Sequence, residues 1–173
     1  MNNIYLIGMM GSGKTTVGEL LAERLGMRLV DLDAAIVADA QRTIPEIFAE
    51  RGEAYFRELE SNVLYDLHRH ENLIVATGGG TPLLERNRHL MEHSGTVVYL
   101  ERDADRIIET IDAETRPLLK ANPENVHRIY AARRSCYEDA ANCTVSNNGT
   151  AEEAAEAVIA AVAAAGQELP SLH

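Results

Sequence analysis

Positive charge is scarce in this chain: 16 lysines and arginines stand against 27 aspartates and glutamates, for a net charge of −11. Nucleic acid is therefore not an expected partner, because binding to it rests on neutralising phosphates. The same deficit means that a site for a small anionic substrate must gather its basic residues locally. Long apolar runs are missing too. Although 46% of the residues are apolar, no run is long enough to cross a bilayer, so no membrane partner is expected. Cysteine is limited to Cys136 and Cys143, without metal-ligand spacing, which fits reduced thiols in a cytoplasmic protein. The six histidines form no cluster that reads as a transition-metal site. A strand-like run opens the chain with no room for a secretory signal ahead of it, so a cytoplasmic location is expected. Repeats and long linkers are lacking. One domain over residues 1–173 is expected, as a monomer, with an ordinary core and a flexible tail at 167–173.

What is present begins at Gly8. Residues Gly8–Thr15, GMMGSGKT, fit G-x-x-x-x-G-K-[ST], the phosphate-binding loop. Ile4-Tyr5-Leu6-Ile7 before it is short and apolar enough for a buried strand, and the residues after it open a helix that stops at Gly26. In that context Gly11, Ser12, Gly13, Lys14, Thr15 and Thr16 would wrap a nucleoside triphosphate. Backbone N–H groups and the helix dipole face its phosphates, Lys14 adds a charge, and the Thr15 hydroxyl can ligate Mg²⁺. Further strands are expected at Arg28–Leu32, Leu73–Thr77, Thr96–Leu100 and Cys143–Ser146, alternating with helices. That alternation predicts an α/β fold with a mostly parallel sheet and ligands at the strands' carboxyl ends. Two helices are expected between the second and third strands, one capped by Thr43 with Glu46 and ended by Gly52, the next from Glu53 to about His70.

Candidate chemistry sits at those ends. Asp31-Leu32-Asp33 closes the second strand, and a period of two would put both carboxylates on one face, able to order a metal's water or accept a hydroxyl proton. A solvated strand end explains the same residues. Thr77-Gly78-Gly79-Gly80 follows the third strand. Three consecutive glycines suit a backbone that something must approach closely, although a plain turn would also carry them. Arg57, three residues before Glu60, reads on spacing alone as a surface ion pair. Arg133 occupies a place on the stripe Val126, Ile129, Tyr130, Tyr137 where an apolar residue is due, so it must be paired or face a wet cleft. Residues 113–125 lack periodicity and carry Arg116-Pro117-Leu118-Leu119. They are either an ordinary surface loop or a lid whose arginine closes over the phosphates.

Together these segments resemble the shikimate kinase family: the phosphate loop, Asp31-x-Asp33, Phe56-Arg57-x-x-Glu60, Thr77–Gly80, Arg116–Leu119 and Arg133…Tyr137-Glu138 occur in the family's order. The resemblance implies a P-loop fold of the nucleoside-monophosphate-kinase type, three layers α/β/α around a five-stranded parallel sheet of order 2-3-1-4-5. It implies ATP-dependent phosphorylation of the shikimate 3-hydroxyl. Shikimate would contact Asp33, Arg57, Gly78, Gly79, Gly80 and Arg133, within a substrate-binding region at 33–61. The two arginines would hold its carboxylate, and Asp33 would accept from a ring hydroxyl and act as base. Lys14 and Arg116 would neutralise the phosphates, and Thr15 would hold Mg²⁺ with Asp31 acting through water. The chain departs from the family at the arginine expected to stack on adenine, where Ile107, Ile108 and Glu109 stand and Arg106 is nearest. Rival readings are a kinase of another small hydroxy acid, such as gluconate, and a catalytically silent nucleotide-binding relative.

Overall fold

A computed structural model describes residues 2–111 and 123–170. Its centre is β1 (Asn3–Ile7), whose five residues are all buried. Burial on both faces is what an apolar run between two helical layers produces. β1 pairs in parallel with β3 (Leu73–Ala76) on one side and β4 (Gly95–Glu101) on the other. β2 (Arg28–Asp31) and β5 (Cys143–Ser146) form the edges, so the order is β2-β3-β1-β4-β5. The expected sheet, its order and its direction are all present.

Alternation along β1 separates two cores. Ile4 and Leu6 pack with α1 (Lys14–Leu25) and α7 (Ala151–Ala164), while Tyr5 and Ile7 face α3 (Ile44–Leu67), α6 (Pro123–Ala140) and their neighbours. Each fully buried leucine or isoleucine in these layers contributes about 1.5–3 kcal/mol of transfer free energy. α3 contains both helices expected between the second and third strands, joined at Gly52 with φ 81° and ψ 173°. Its Thr43–Glu46 capping box is complete.

One expectation about this stretch was wrong. β2 stops at Asp31, and α2 (Leu32–Ala40) begins immediately, so Asp33 lies in the first turn of a helix rather than on a strand. Asp31 is the cause. Its Oδ1 accepts from the Ala34 backbone N–H at 3.0 Å, an N-cap bond that turns the chain into a run of good helix formers. α4 (Glu85–Ser94) and α5 (Ala104–Thr110) flank β4. Of the expected lid, residues 113–122, with Arg116, lie outside the described residues, and 123–125 open α6. Of the expected tail, 171–173 also lie outside them, and Leu169 packs against the core of α1 and α7.

Candidate active site

The carboxyl ends of β1, β2 and β3 open on a cleft of about 340 Å³. Gly11, Gly13, Lys14, Thr15 and Thr16 form part of its wall, so the phosphate loop faces it as expected. Gly13 holds a left-handed conformation (φ 91°) directly before α1, which lets the loop's N–H groups turn inward at the helix N-terminus. Lys14 is 8% exposed, and its Nζ donates to the Gly8 and Met9 carbonyls at 2.6 and 2.8 Å. The ammonium is thus held over the loop rather than free to swing into solvent. Ser12 does not line the cavity. Its side chain is buried, and its backbone N–H donates to Met9 O.

On the next strand, the Thr15 hydroxyl donates to Asp31 Oδ2 at 2.9 Å. With that proton committed, the threonine oxygen presents lone pairs beside a carboxylate, a hard oxygen donor set that suits Mg²⁺ with its waters. Asp33 lines the same cleft as Asp31 despite sitting one turn into α2. Thr77 spends its hydroxyl proton on Leu6 O at 2.8 Å, leaving only acceptor capacity toward the cavity it lines.

The three glycines are needed for access rather than for left-handed backbone, since none of them has positive φ. A Cβ on Gly80 would fall on the Arg57 guanidinium, and one on Gly79 would lie 3.1 Å from Arg133 Nη1. A Cβ on Gly78 would lie 3.2 Å from Asp33 Oδ1 and 3.1 Å from Glu60 Oε2. Gly78 and Gly79 line the cleft, whereas Gly80, Arg57 and Arg133 do not; the two arginines stand behind it against neighbouring residues of one glycine loop. Arg133 is the inward charge of α6 that its stripe implies: its Nη1 is buried without a hydrogen-bond partner among the described residues. Arg57 is less exposed than a surface pair, with 17% of its side chain accessible.

The family model for shikimate kinase matches residues 10–163. The chain belongs to the shikimate kinase family. A shikimate kinase of Clostridium botulinum (strain Eklund 17B / Type B) is 38% identical over 88% of this chain and 92% of its own. Among solved structures, a shikimate kinase of Acinetobacter baumannii in complex with shikimate superposes with a TM-score of 0.91 at 35% identity, over 97% of this chain and 96% of the other. A gluconokinase from Sinorhizobium meliloti 1021 reaches a TM-score of 0.59 at 14% identity, over 94% and 92% of the two chains, which shows shared fold alone.

Arg102 in this family member's cleft was not legible beforehand. Arg102 and Asn147 both border it. Asn147 Nδ2 donates to Ser12 O at 2.7 Å, wedging the loop after β5 against the phosphate loop, and Arg102 Nη1 donates to Asn147 O at 3.0 Å. Arg106, the nearest arginine to the family's adenine position, is exposed on α5 and does not line the cleft. Outside the cleft, the histidine reading needs correction, because His89, Glu92 and His93 do gather on the exposed face of α4 with ligand atoms within 4.8 Å. Their spacing of three and four residues puts them on one helical face.

Glu60 is the largest omission. It is 0% exposed, and its Oε1 accepts from Arg57 Nη1 at 3.1 Å while Oε2 accepts from Thr81 Oγ1 at 2.9 Å. Burial raises its carboxyl above the ordinary 4.5; Arg57 and Thr81 pull it back, and nearby Asp33 adds to the rise. An acid whose pKa is raised by folding contributes stability that is fully present below 4.5 and is lost as pH rises through its folded value. Thermal unfolding of wild type and Glu60→Gln across about pH 4 to 8 should therefore show wild type losing ground as pH rises. Parallel profiles would contradict this assignment.

Proposed function

We propose that this chain transfers the γ-phosphoryl group of ATP to the 3-hydroxyl of shikimate, producing shikimate 3-phosphate and ADP. The observation that carries the reading is the pair Arg57 and Arg133, brought by different helices to one glycine loop at the edge of a phosphate-loop cleft. A protein of net charge −11 has no general affinity for an anion. Two converging guanidiniums supply that affinity locally, and their forked geometry suits a carboxylate.

In this reading the roles follow from position. Gly11, Gly13, Lys14, Thr15 and Thr16 hold the triphosphate, with Ser12 bracing the loop through its backbone bonds to Met9 and Asn147. Arg57, Arg133 and Gly78–Gly80 bind the acid's carboxylate side. Asp33 accepts from the ring hydroxyl at the boundary between the two, where its carboxylate lies over Gly78. Thr15, with Asp31 acting through water, would hold Mg²⁺, which would supply positive charge to offset that of the phosphates. Arg116 adds a cation from the segment outside the described residues. Phosphoryl transfer through a loose transition state is accelerated chiefly by alignment and charge, so Lys14 and the loop amides contribute most and proton removal by Asp33 contributes less.

Among the described residues no helix is long and apolar enough to cross a membrane. A monomeric enzyme of the cytoplasm is the working arrangement. Gluconate lacks support, because the gluconate-kinase likeness is one of fold alone. A silent relative would not need Lys14 and Asp33 on one cleft. The test is ADP release with MgATP, which should appear on adding shikimate and remain near background with gluconate or quinate. Absence of shikimate-dependent ADP would overturn the proposal.

A further inference from the structure

Arginine side chains are long and have many rotamers, so two of them aimed at one loop require something to hold both them and the loop. Two buried hydroxyls stand where that is needed. Thr81, 0% exposed in the 3-10 turn Thr81–Leu83, accepts from the Gly78 backbone N–H at 3.0 Å. The same hydroxyl donates to Glu60 Oε2, whose other oxygen receives Arg57. Tyr137, 0% exposed on α6, donates from its hydroxyl to Gly79 O at 2.6 Å. Arg133 stands one turn before it on α6, and its charge works against the rise in that phenol's pKa.

The pattern is one hydroxyl per arginine. Each oxygen bonds a neighbouring peptide of the glycine loop on one side; on the other, Thr81 reaches Arg57 through Glu60, and Tyr137 stands beside Arg133. Neither residue lines the cleft. Thr81 is itself fixed, because Asn87 Nδ2 donates to its carbonyl at 2.9 Å and Asn87 Oδ1 accepts from Ser61 Oγ at 2.8 Å. Burial pushes the Tyr137 phenol up to about 12, so it keeps the proton it donates.

We infer that Thr81 and Tyr137 are positioning residues for the second substrate, each locking one arginine of the carboxylate pair to the Gly78–Gly79 backbone. The inference rests on the shikimate reading above. Removing either hydroxyl strands a buried loop group and loosens one guanidinium; the only bond to the phosphate loop at stake is the weak one from the Tyr137 hydroxyl to Met9 Sδ at 3.9 Å.

Thr81→Val, Thr81→Ser and Tyr137→Phe should be assayed by varying shikimate and ATP separately. Thr81→Val and Tyr137→Phe are each expected to raise the shikimate KM about 10-fold, the scale of leaving one buried polar group unpaired, with the ATP KM held within about 2-fold. Thr81→Ser, which restores the hydroxyl, should return the shikimate KM to within about 3-fold of wild type. An unchanged shikimate KM in both hydroxyl-deleting variants would overturn the inference. So would parallel rises in both KM values, or a serine variant as impaired as the valine. A readout independent of substrate is the Arg57 Nε–Hε NMR signal, which should be distinct in wild type and move toward free arginine in Thr81→Val. If Thr81→Val does not fold, Tyr137→Phe and the Arg133 signal decide. Wild type inactive on shikimate would sink the functional proposal alone, and the arginine signals would still decide the positioning roles.

Discussion

Lys14→Met is expected to lower kcat by about 1000-fold while leaving the shikimate KM within about 3-fold. Methionine keeps most of the length and apolar stem and removes the charge. Lys14 is the buried cation of the phosphate loop, fixed by two carbonyls of its own turn. That fixation means no reorganisation is required as charge develops on the transferring group, which is where preorganised electrostatics act. Because the two carbonyls also lose a donor, a melting curve must accompany the kinetics. A folded variant retaining more than about a tenth of wild-type kcat would show that the charge is not used in the transition state.

Asp33→Asn is expected to reduce kcat about 100-fold, the lower end for loss of a positioned general base. Asparagine preserves size and a hydrogen-bonding oxygen but cannot take a proton. The carboxylate is placed for the task by α2, whose first turn carries it to the cleft wall beside Gly78. Loss confined to the shikimate KM, with kcat intact, would reduce Asp33 to a binding group. Steady-state kinetics under saturating MgATP separate the two outcomes.

The two halves of the site differed in how far they could be read in advance. The phosphate loop was legible because its recognition groups are backbone amides and side chains of one contiguous turn. Arg133 was legible as an inward charge, because a helix stripe reports which residues face the core. Glu60 was not. Its spacing from Arg57 is that of an exposed pair, and only the 3-10 turn from Thr81 closing over it makes it a buried counter-ion. Asp33 was assigned to the right cleft through a wrong element, since an aspartate at a strand end and an N-cap aspartate look alike until the next turn forms. Tyr137 read as an apolar residue of the stripe, and its ring is one, packing 5.2 Å from Tyr99 between centroids. Its hydroxyl became informative only once Gly79 was seen to lie against it.

By itself the sequence determined that this chain binds a triphosphate on an α/β scaffold. Local rules suffice for that, because strand, loop and helix are each stabilised by residues close in the chain. Placing Asp33, Arg57, Gly79 and Arg133 around one small volume was decided by the tertiary structure. Those residues come from three helices and the loop after β3, and their meeting depends on β3 lying between β2 and β1. No short-range pattern encodes that neighbour relation. It follows from burying both faces of the sheet, a free energy that belongs to the whole domain.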